Sequence, residues 1–200
     1  MASPGPELWL LRHGATDWAR SGRHTGRTDR PLLPEGEEEA RRLAPVLAGV
    51  TFDAVLTSPL QRARRTCELA GLGASAQICD DLREWDYGDY EGITTAAIRQ
   101  SVPGWTVFSH PCPGGESLEQ VETRCQRLLN QCQALSGEHR RLALFAHGHI
   151  LRALAGTWLG LGPAGGALLS LSTGTVSMLG HEREQAVLLR WNAPVQGSDD

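Results

Sequence analysis

The 200-residue sequence lacks the features that mark secreted, membrane-spanning or nucleic-acid-binding chains. No Cys-x-x-Cys pair occurs among its five cysteines, Cys67, Cys79, Cys112, Cys125 and Cys132, and the odd count leaves one over. Both points argue against a disulfide framework and for a reducing cytoplasm as the expected location. No apolar run approaches the ~20 residues that a membrane span requires. The opening MASPGP lacks the basic and apolar regions of a signal peptide. Internal repeats and low-complexity tracts are missing too. The net charge of −4 gives no reason to expect nucleic acid or an anionic membrane as partner.

What is present is an ordinary globular composition, with enough chain to bury about two-thirds of its unfolded surface. One domain over residues 1–200 is expected, with 1–6 and 192–200 as loose ends. Short, nearly continuous apolar runs, LWLL (8–11), AVLTS (54–58) and LALFA (142–146), alternate with amphipathic segments. Strands apolar on both faces belong to a parallel sheet covered on both sides. The fold class is therefore α/β, a three-layer αβα sandwich with a mostly parallel central sheet.

Four helices are expected. One covers about 34–48, kinked or shortened by Pro45. A second follows Ser58, with Ser58 as N-cap, Pro59 in the first helical position and Gln61 completing a capping box. A third follows Ser117, with Gln120 closing its box and Leu118, Val121, Cys125, Leu128, Leu129, Cys132 and Leu135 on one apolar stripe. The fourth, ILRALAGTWLGL, leaves the strand LALFA. Near the C-terminus, LLSLSTGTVSMLGHE and QAVLLRW read as strands.

Open α/β sheets bind ligands beyond the carboxyl ends of their strands. That rule gathers Arg12 and His13 after LWLL, Ser58 after AVLT, and His147 after LALFA. Gly14 and Gly148 follow the two imidazoles and would let the backbone approach a ligand closely. Arg12 and Arg62 are permanently charged forks. Together with a helix N-terminus these groups suit a tetrahedral polyanion such as phosphate. Two imidazoles exceed what binding needs, and a neutral one attacks phosphorus well. The departing alkoxide then needs an acid. Glu84 in DDLREWDYGDYEG fits, because burial beside Trp85 and Tyr87 favours a protonated carboxyl. Asp80, Asp81, Asp86, Asp89 and Glu91 are its local rivals.

Read together, RHG (12–14), TG (25–26), SPLQRA (58–63), LREWDYG (82–88) and AHG (146–148) resemble the histidine phosphatase superfamily, which has the phosphoglycerate mutase-like fold. Order and spacing match from about residue 8 to residue 191. The resemblance implies His13 as phosphorylated nucleophile. Arg12, Arg62 and His147 would hold the phosphoryl group, and Glu84 would be the acid and then the base that activates water. It also implies Thr25 and Gly26 in the phosphate pocket, Tyr87 and Gly148 near the substrate, and Glu116 and Ser117 on a loop closing over it. The family often places Asn where this chain has Ala19, which removes one amide contact to phosphate.

Within the superfamily the detail is similar to sedoheptulose-bisphosphatase-like enzymes and bacterial broad-specificity acid phosphatases. Mutases resemble the chain too, but carry a longer and more basic segment where residues 93–113 here hold only Arg99. A thin cap favours hydrolysis of a small phosphorylated metabolite, with phosphoglycerate mutase as the alternative. No cofactor is required. His147-x-His149 offers no third ligand at metal spacing, so no metal is expected and His149 is read as capping its helix or lining the pocket. Arg152 is expected to support the site from its helix face. Monomer and homodimer are both compatible with the sequence.

Overall fold

The structure, a computed structural model, describes residues 5–137 and 139–195. Six strands form one sheet in the order β3-β2-β4-β1-β5-β6. They are β1 (Glu7–Arg12), β2 (Ala54–Thr57), β3 (Ala76–Ile78), β4 (Arg141–Ala146), β5 (Val176–Glu182) and β6 (Gln185–Ala193). The first four run parallel, and β5 and β6 return antiparallel. The mixed, mostly parallel sheet with helices on both faces is the expected architecture.

Side chains alternate across the sheet, so each strand feeds two cores. Leu8, Leu10, Leu56, Leu142 and Leu144 face one layer, packed against α5 (Leu118–Leu135) and α6 (Gly148–Trp158). Trp9, Leu11, Val55, Ala143 and Phe145 face the other, against α2 (Pro34–Leu47) and α3 (Gln61–Leu69). The near-continuous apolar runs read from the sequence are these two faces interleaved. Two short helices, α1 (Asp17–Ser21) and α4 (Thr95–Ser101), lie in connections that sequence periodicity does not reveal. At seven residues or fewer they are too short to display a stripe.

Several local expectations need correction. Ser58 does not cap α3. That helix begins at Gln61 after an uncapped Leu60, and Ser58 Oγ is committed to His147 instead. The α3 N-terminus is met by Asp29, whose carboxylate accepts from Gln61 N at 2.9 Å. Ser117 does cap α5, with both arms of the box formed. Pro45 lies in the last turn of α2, where its missing N–H leaves the Arg41 carbonyl without its helical partner, and the helix ends two residues later. Residues 169–175 are irregular rather than strand, and β5 starts only at Val176. Of the expected loose ends, 1–4 and 196–200 lie outside the described residues. Pro6 is buried, and Asn192 is a working part of β6, its amide accepting from Ser172 N at 2.8 Å. Among the described residues, no helix is long and apolar enough to cross a membrane.

Candidate active site

The register of the parallel strands assembles the site. Arg12 on β1 lies opposite Ala146 on β4, and Thr57 on β2 opposite Phe145. The next residue of each strand therefore emerges at the same edge: His13, His147 and Ser58. His13 N donates to Ala146 O at 3.0 Å and Ser58 N to Phe145 O at 2.9 Å, so the ladder continues into the site. The two imidazole centroids are 5.1 Å apart.

His13 has a defined tautomer. Its Nδ1 lies 2.7 Å from the Gly14 carbonyl oxygen, which can only accept, so Nδ1 carries the proton. Nε2 is left with its lone pair. Burial, reinforced by the positive charges of Arg62 and Arg12, holds this imidazole well below its ordinary pKa. The ring is thus neutral at physiological pH, as a nucleophile must be.

His147 sits behind it, fully buried. Arg62 Nε donates to its Nδ1 at 3.0 Å, and Nε2 donates to Ser58 Oγ at 2.8 Å. Desolvation and Arg62 keep this ring neutral too. Arg62 has further duties. Its terminal nitrogens donate to the carbonyls of Thr25, Gly26 and Thr28 at 2.9–3.1 Å, which binds the 25–28 loop to the sheet edge. The same loop is gripped from the opposite side by Glu91. That carboxylate accepts from Gly26 N and Thr28 N at 2.9–3.0 Å.

Arg12 differs. One terminal nitrogen donates to the Leu171 carbonyl, but its buried Nε has no partner. Burial lowers its pKa, with Glu84 opposing the shift. An unpaired buried N–H of a cation is costly, and an anion beside it relieves the cost. The guanidinium rests 3.3 Å from where a Cβ on Gly148 would be, at the first residue of α6.

Glu84 is 7 % exposed. Its two oxygens accept from Trp85 N, His149 N and Ile150 N at 2.8–3.0 Å. The side chain therefore plugs the N-terminus of α6, its oxygens accepting from three backbone N–H groups.

These groups face a cavity of about 210 Å³, lined by Arg12, His13, Thr25, Glu84, Tyr87 and Gly148 among others. Thr25 lines it too, its hydroxyl donating to Arg23 O at 3.2 Å. Ala19 is also on its wall. A second cavity of about 200 Å³ shares His24, Thr95, His149 and Arg152 with the first and extends it under Trp105 and Phe108. Arg99 and Arg152 both line this extension, Arg152 with its guanidinium 4.6 Å from the Phe108 ring centroid. His149 lines both cavities, 2.6 Å from the Tyr87 hydroxyl. It does not cap α6.

Not every expected residue converges. Arg62 and His147 lie beneath the floor rather than on it. Gly26 faces a different, smaller cavity and has close-approach duties: a Cβ there would come within 2.6 Å of Trp85 O. Gly14 serves packing, since a Cβ would meet Gly36 O of α2 at 2.0 Å. Its expected role of admitting a ligand belongs to Gly148 instead. Glu116 pairs with Arg124 at 2.7 Å, and Ser117 caps α5. Neither reaches the 210 Å³ cavity. The sequence reading missed Thr95 and Arg124, and saw Glu91 only as a rival acid. Nothing in local spacing separates a loop-gripping carboxylate from a solvated one. Among the described residues, no group of three or more His, Cys, Asp or Glu side chains is arranged to hold a metal.

A family profile described as the Histidine phosphatase superfamily (branch 1) matches residues 8–194. The chain belongs to that family. As a histidine phosphatase it is an enzyme acting on phosphate monoesters. It is 40% identical over 189 residues to an acid phosphatase of Mycobacterium tuberculosis, covering 90% of this chain and 91% of the relative. It is 35% identical over 193 residues to the sedoheptulose 1,7-bisphosphatase of Saccharomyces cerevisiae, covering 81% and 70%. A 2,3-bisphosphoglycerate-dependent phosphoglycerate mutase of Azorhizobium caulinodans is 37% identical over 185 residues, covering 84% and 88%. A solved open reading frame product of M. tuberculosis superposes with a TM-score of 0.89 at 35% identity, covering 96% of this chain and 99% of that one.

Proposed function

We propose that the protein hydrolyses small phosphomonoesters, sugar or metabolite phosphates, through a phosphohistidine at His13 and without a metal. One observation carries the reading: His13 has Nδ1 tied to Gly14 O, leaving Nε2 free beside the unpaired Arg12 Nε in one cavity.

In the first step the Nε2 lone pair attacks phosphorus and the bond from phosphorus to the ester oxygen breaks. Glu84 gives its proton to that oxygen and the alcohol departs. In the second step Glu84, now a carboxylate, takes a proton from water. The water oxygen attacks phosphorus, the P–N bond breaks, and its electron pair returns to Nε2. The sum is ester plus water giving alcohol plus phosphate. Arg12 supplies charge to the phosphoryl oxygens as they gain it. His147 and Arg62 support from below, and Thr25 and Gly148 line the cup. Arg99 and Arg152 in the extension favour leaving groups that carry a second anionic group. The free, buried cysteines of the described chain suit a reducing cytoplasm.

Phosphate release across sugar phosphates, sugar bisphosphates and phosphoglycerates tests this. His13→Ala is expected to abolish release from all of them; retained turnover overturns the mechanism. The mutase reading is favoured by the 37%-identical relative of that name. Interconversion of phosphoglycerates outpacing phosphate release would establish it instead.

A further inference from the structure

Glu84 stands between two cavities. In front is the 210 Å³ cavity that holds His13; behind it is one of about 80 Å³ lined by Gly26, Leu60, Asp86, Glu116 and Arg124 among others. A side chain with open space on two sides is not fixed by packing. Its position depends on the α6 amides it accepts from and on whatever holds its own loop.

Surface ion pairs hold the two ends of the loop, Arg127 on Asp81 and Arg27 on Asp86, and one sheltered pair, Arg124 with Glu116, grips its backbone on both sides of Glu84. Arg124, on the buried face of α5, donates to the carbonyls of Asp81 at 3.0 Å and Arg83 at 2.5 Å, on the N-terminal side of Glu84. Its other terminal nitrogen donates to Glu116 Oε2 at 2.7 Å. That same oxygen accepts from Asp86 N at 2.9 Å, on the C-terminal side. The Glu116 backbone completes the grip: its carbonyl accepts from Trp85 Nε1 at 3.0 Å, and its N–H donates to Asp86 O at 2.9 Å. Arg124 and Glu116 thus bracket Glu84 on both sides along the chain without touching it. Arg124 is 8 % exposed, so the pair is sheltered from solvent.

We propose that Arg124 and Glu116 are positioning residues that hold the Glu84 carboxyl forward at the leaving-group oxygen, against the empty space behind it. The inference rests on the reading of Glu84 as proton donor. It gives Glu116 a task other than the substrate contact that its motif implies. Loss of the pair lets loop 81–86 relax into the rear cavity and carries the acid away from the ester, while the phosphate cup of Arg12, His13 and Gly148 stays as it is.

Leaving-group dependence reads this directly. An alkyl phosphate needs a proton on its departing oxygen; p-nitrophenyl phosphate does not. The ratio kcat/KM covers only the steps up to alcohol release, so it isolates phosphorylation of His13. Arg124→Met is expected to lower kcat/KM for a sugar phosphate about tenfold or more, within the range an acid supplies. For p-nitrophenyl phosphate it should change by less than about twofold, and inhibition by inorganic phosphate should be unchanged. Glu116→Gln keeps a hydrogen-bond acceptor but not the charge, and is expected to show the same pattern more weakly; it carries the test if Arg124→Met does not fold. Arg124→Lys is expected to recover part of the loss.

Glu84→Gln, run in parallel, separates the two claims. If it shows leaving-group dependence and both brace variants lose activity equally on the two esters, or lose none, the positioning role is wrong and the acid stands. If Glu84→Gln itself shows no such dependence, the reading of Glu84 falls and takes the inference with it.

Discussion

The floor of the cavity and its outer wall are built on different terms. The floor is made by strand ends. His13 lines it, with Ser58 and His147 buried directly beneath; each is the residue after a register-fixed pair, and the N–H groups of His13 and Ser58 bond into the ladder itself. The wall is made by side chains of connecting segments: His24, Thr95, Arg99 and Trp105 meet there from loops and short helices, with only His149 and Arg152 on a long one. A floor tied to the sheet can move little, whereas a wall of loop residues can differ without disturbing it. On the proposed mechanism the strand ends supply the nucleophile, Glu84 reaches in from a connection, and the remaining connections face the leaving group.

Even the two arginines follow this division. Arg62 donates to His147 and three carbonyls, and acts chiefly as the clamp that joins loop 25–28 to the floor. Arg12 keeps a buried N–H unpaired and is the one left to meet an anion. Arg12→Met should cost about 100-fold or more in kcat/KM on every ester alike, the scale of removing a charge-stabilising donor. An ester that escapes the loss would break the distinction between floor and wall.

Gly26→Ala comes next. The new methyl would sit 2.6 Å from Trp85 O and 2.7 Å from a Glu91 oxygen, so the 25–28 loop must shift. Overpacking of this kind costs about 1–3 kcal/mol, and a urea titration should show it together with a fall in kcat. Arg152→Met acts on the wall. It should raise KM several-fold for esters whose alcohol carries a second anion and leave KM for neutral alcohols within about twofold. Equal effects on both classes would place Arg152 with the floor.

How much of this was legible beforehand follows the same line. The strand runs 8–11, 54–58 and 142–146 were readable because burial on both faces leaves a continuous apolar signature, and the residues ending them marked the floor. The capping box at Ser117 was readable because it is local. Ser58 looked identical in sequence, yet its hydroxyl bonds His147, 89 positions away, and no local rule sees that partner. Gly14 was assigned to the ligand and turned out to face Gly36 for the same reason. Glu116 and Arg124 are eight residues apart across a loop–helix junction, and their service to loop 81–86 appears only in three dimensions.

The smallest expected effect concerns stability against pH. His24 is buried against Tyr87 and Trp105, and burial pulls its pKa from 6.5 to about 4. His13, His147 and His149 shift in the same direction. Between the two values the unfolded chain binds protons that the folded one refuses, so stability rises with pH there. The folded state should therefore lose stability progressively as pH falls below about 6.5, and His24→Gln should flatten that slope between about 6.5 and 4. Urea midpoints across that range check it; a slope of opposite sign would mean that these rings are protonated in the fold.

The central claim is that His13 takes the phosphoryl group. Rapid mixing with a phosphate monoester, quenching in alkali and peptide mass spectrometry would locate any covalent adduct. An acid-labile phosphate is expected on His13, formed before phosphate is released and missing in His13→Ala. Phosphate found on another residue, or release at full rate with no adduct at any time, would contradict it.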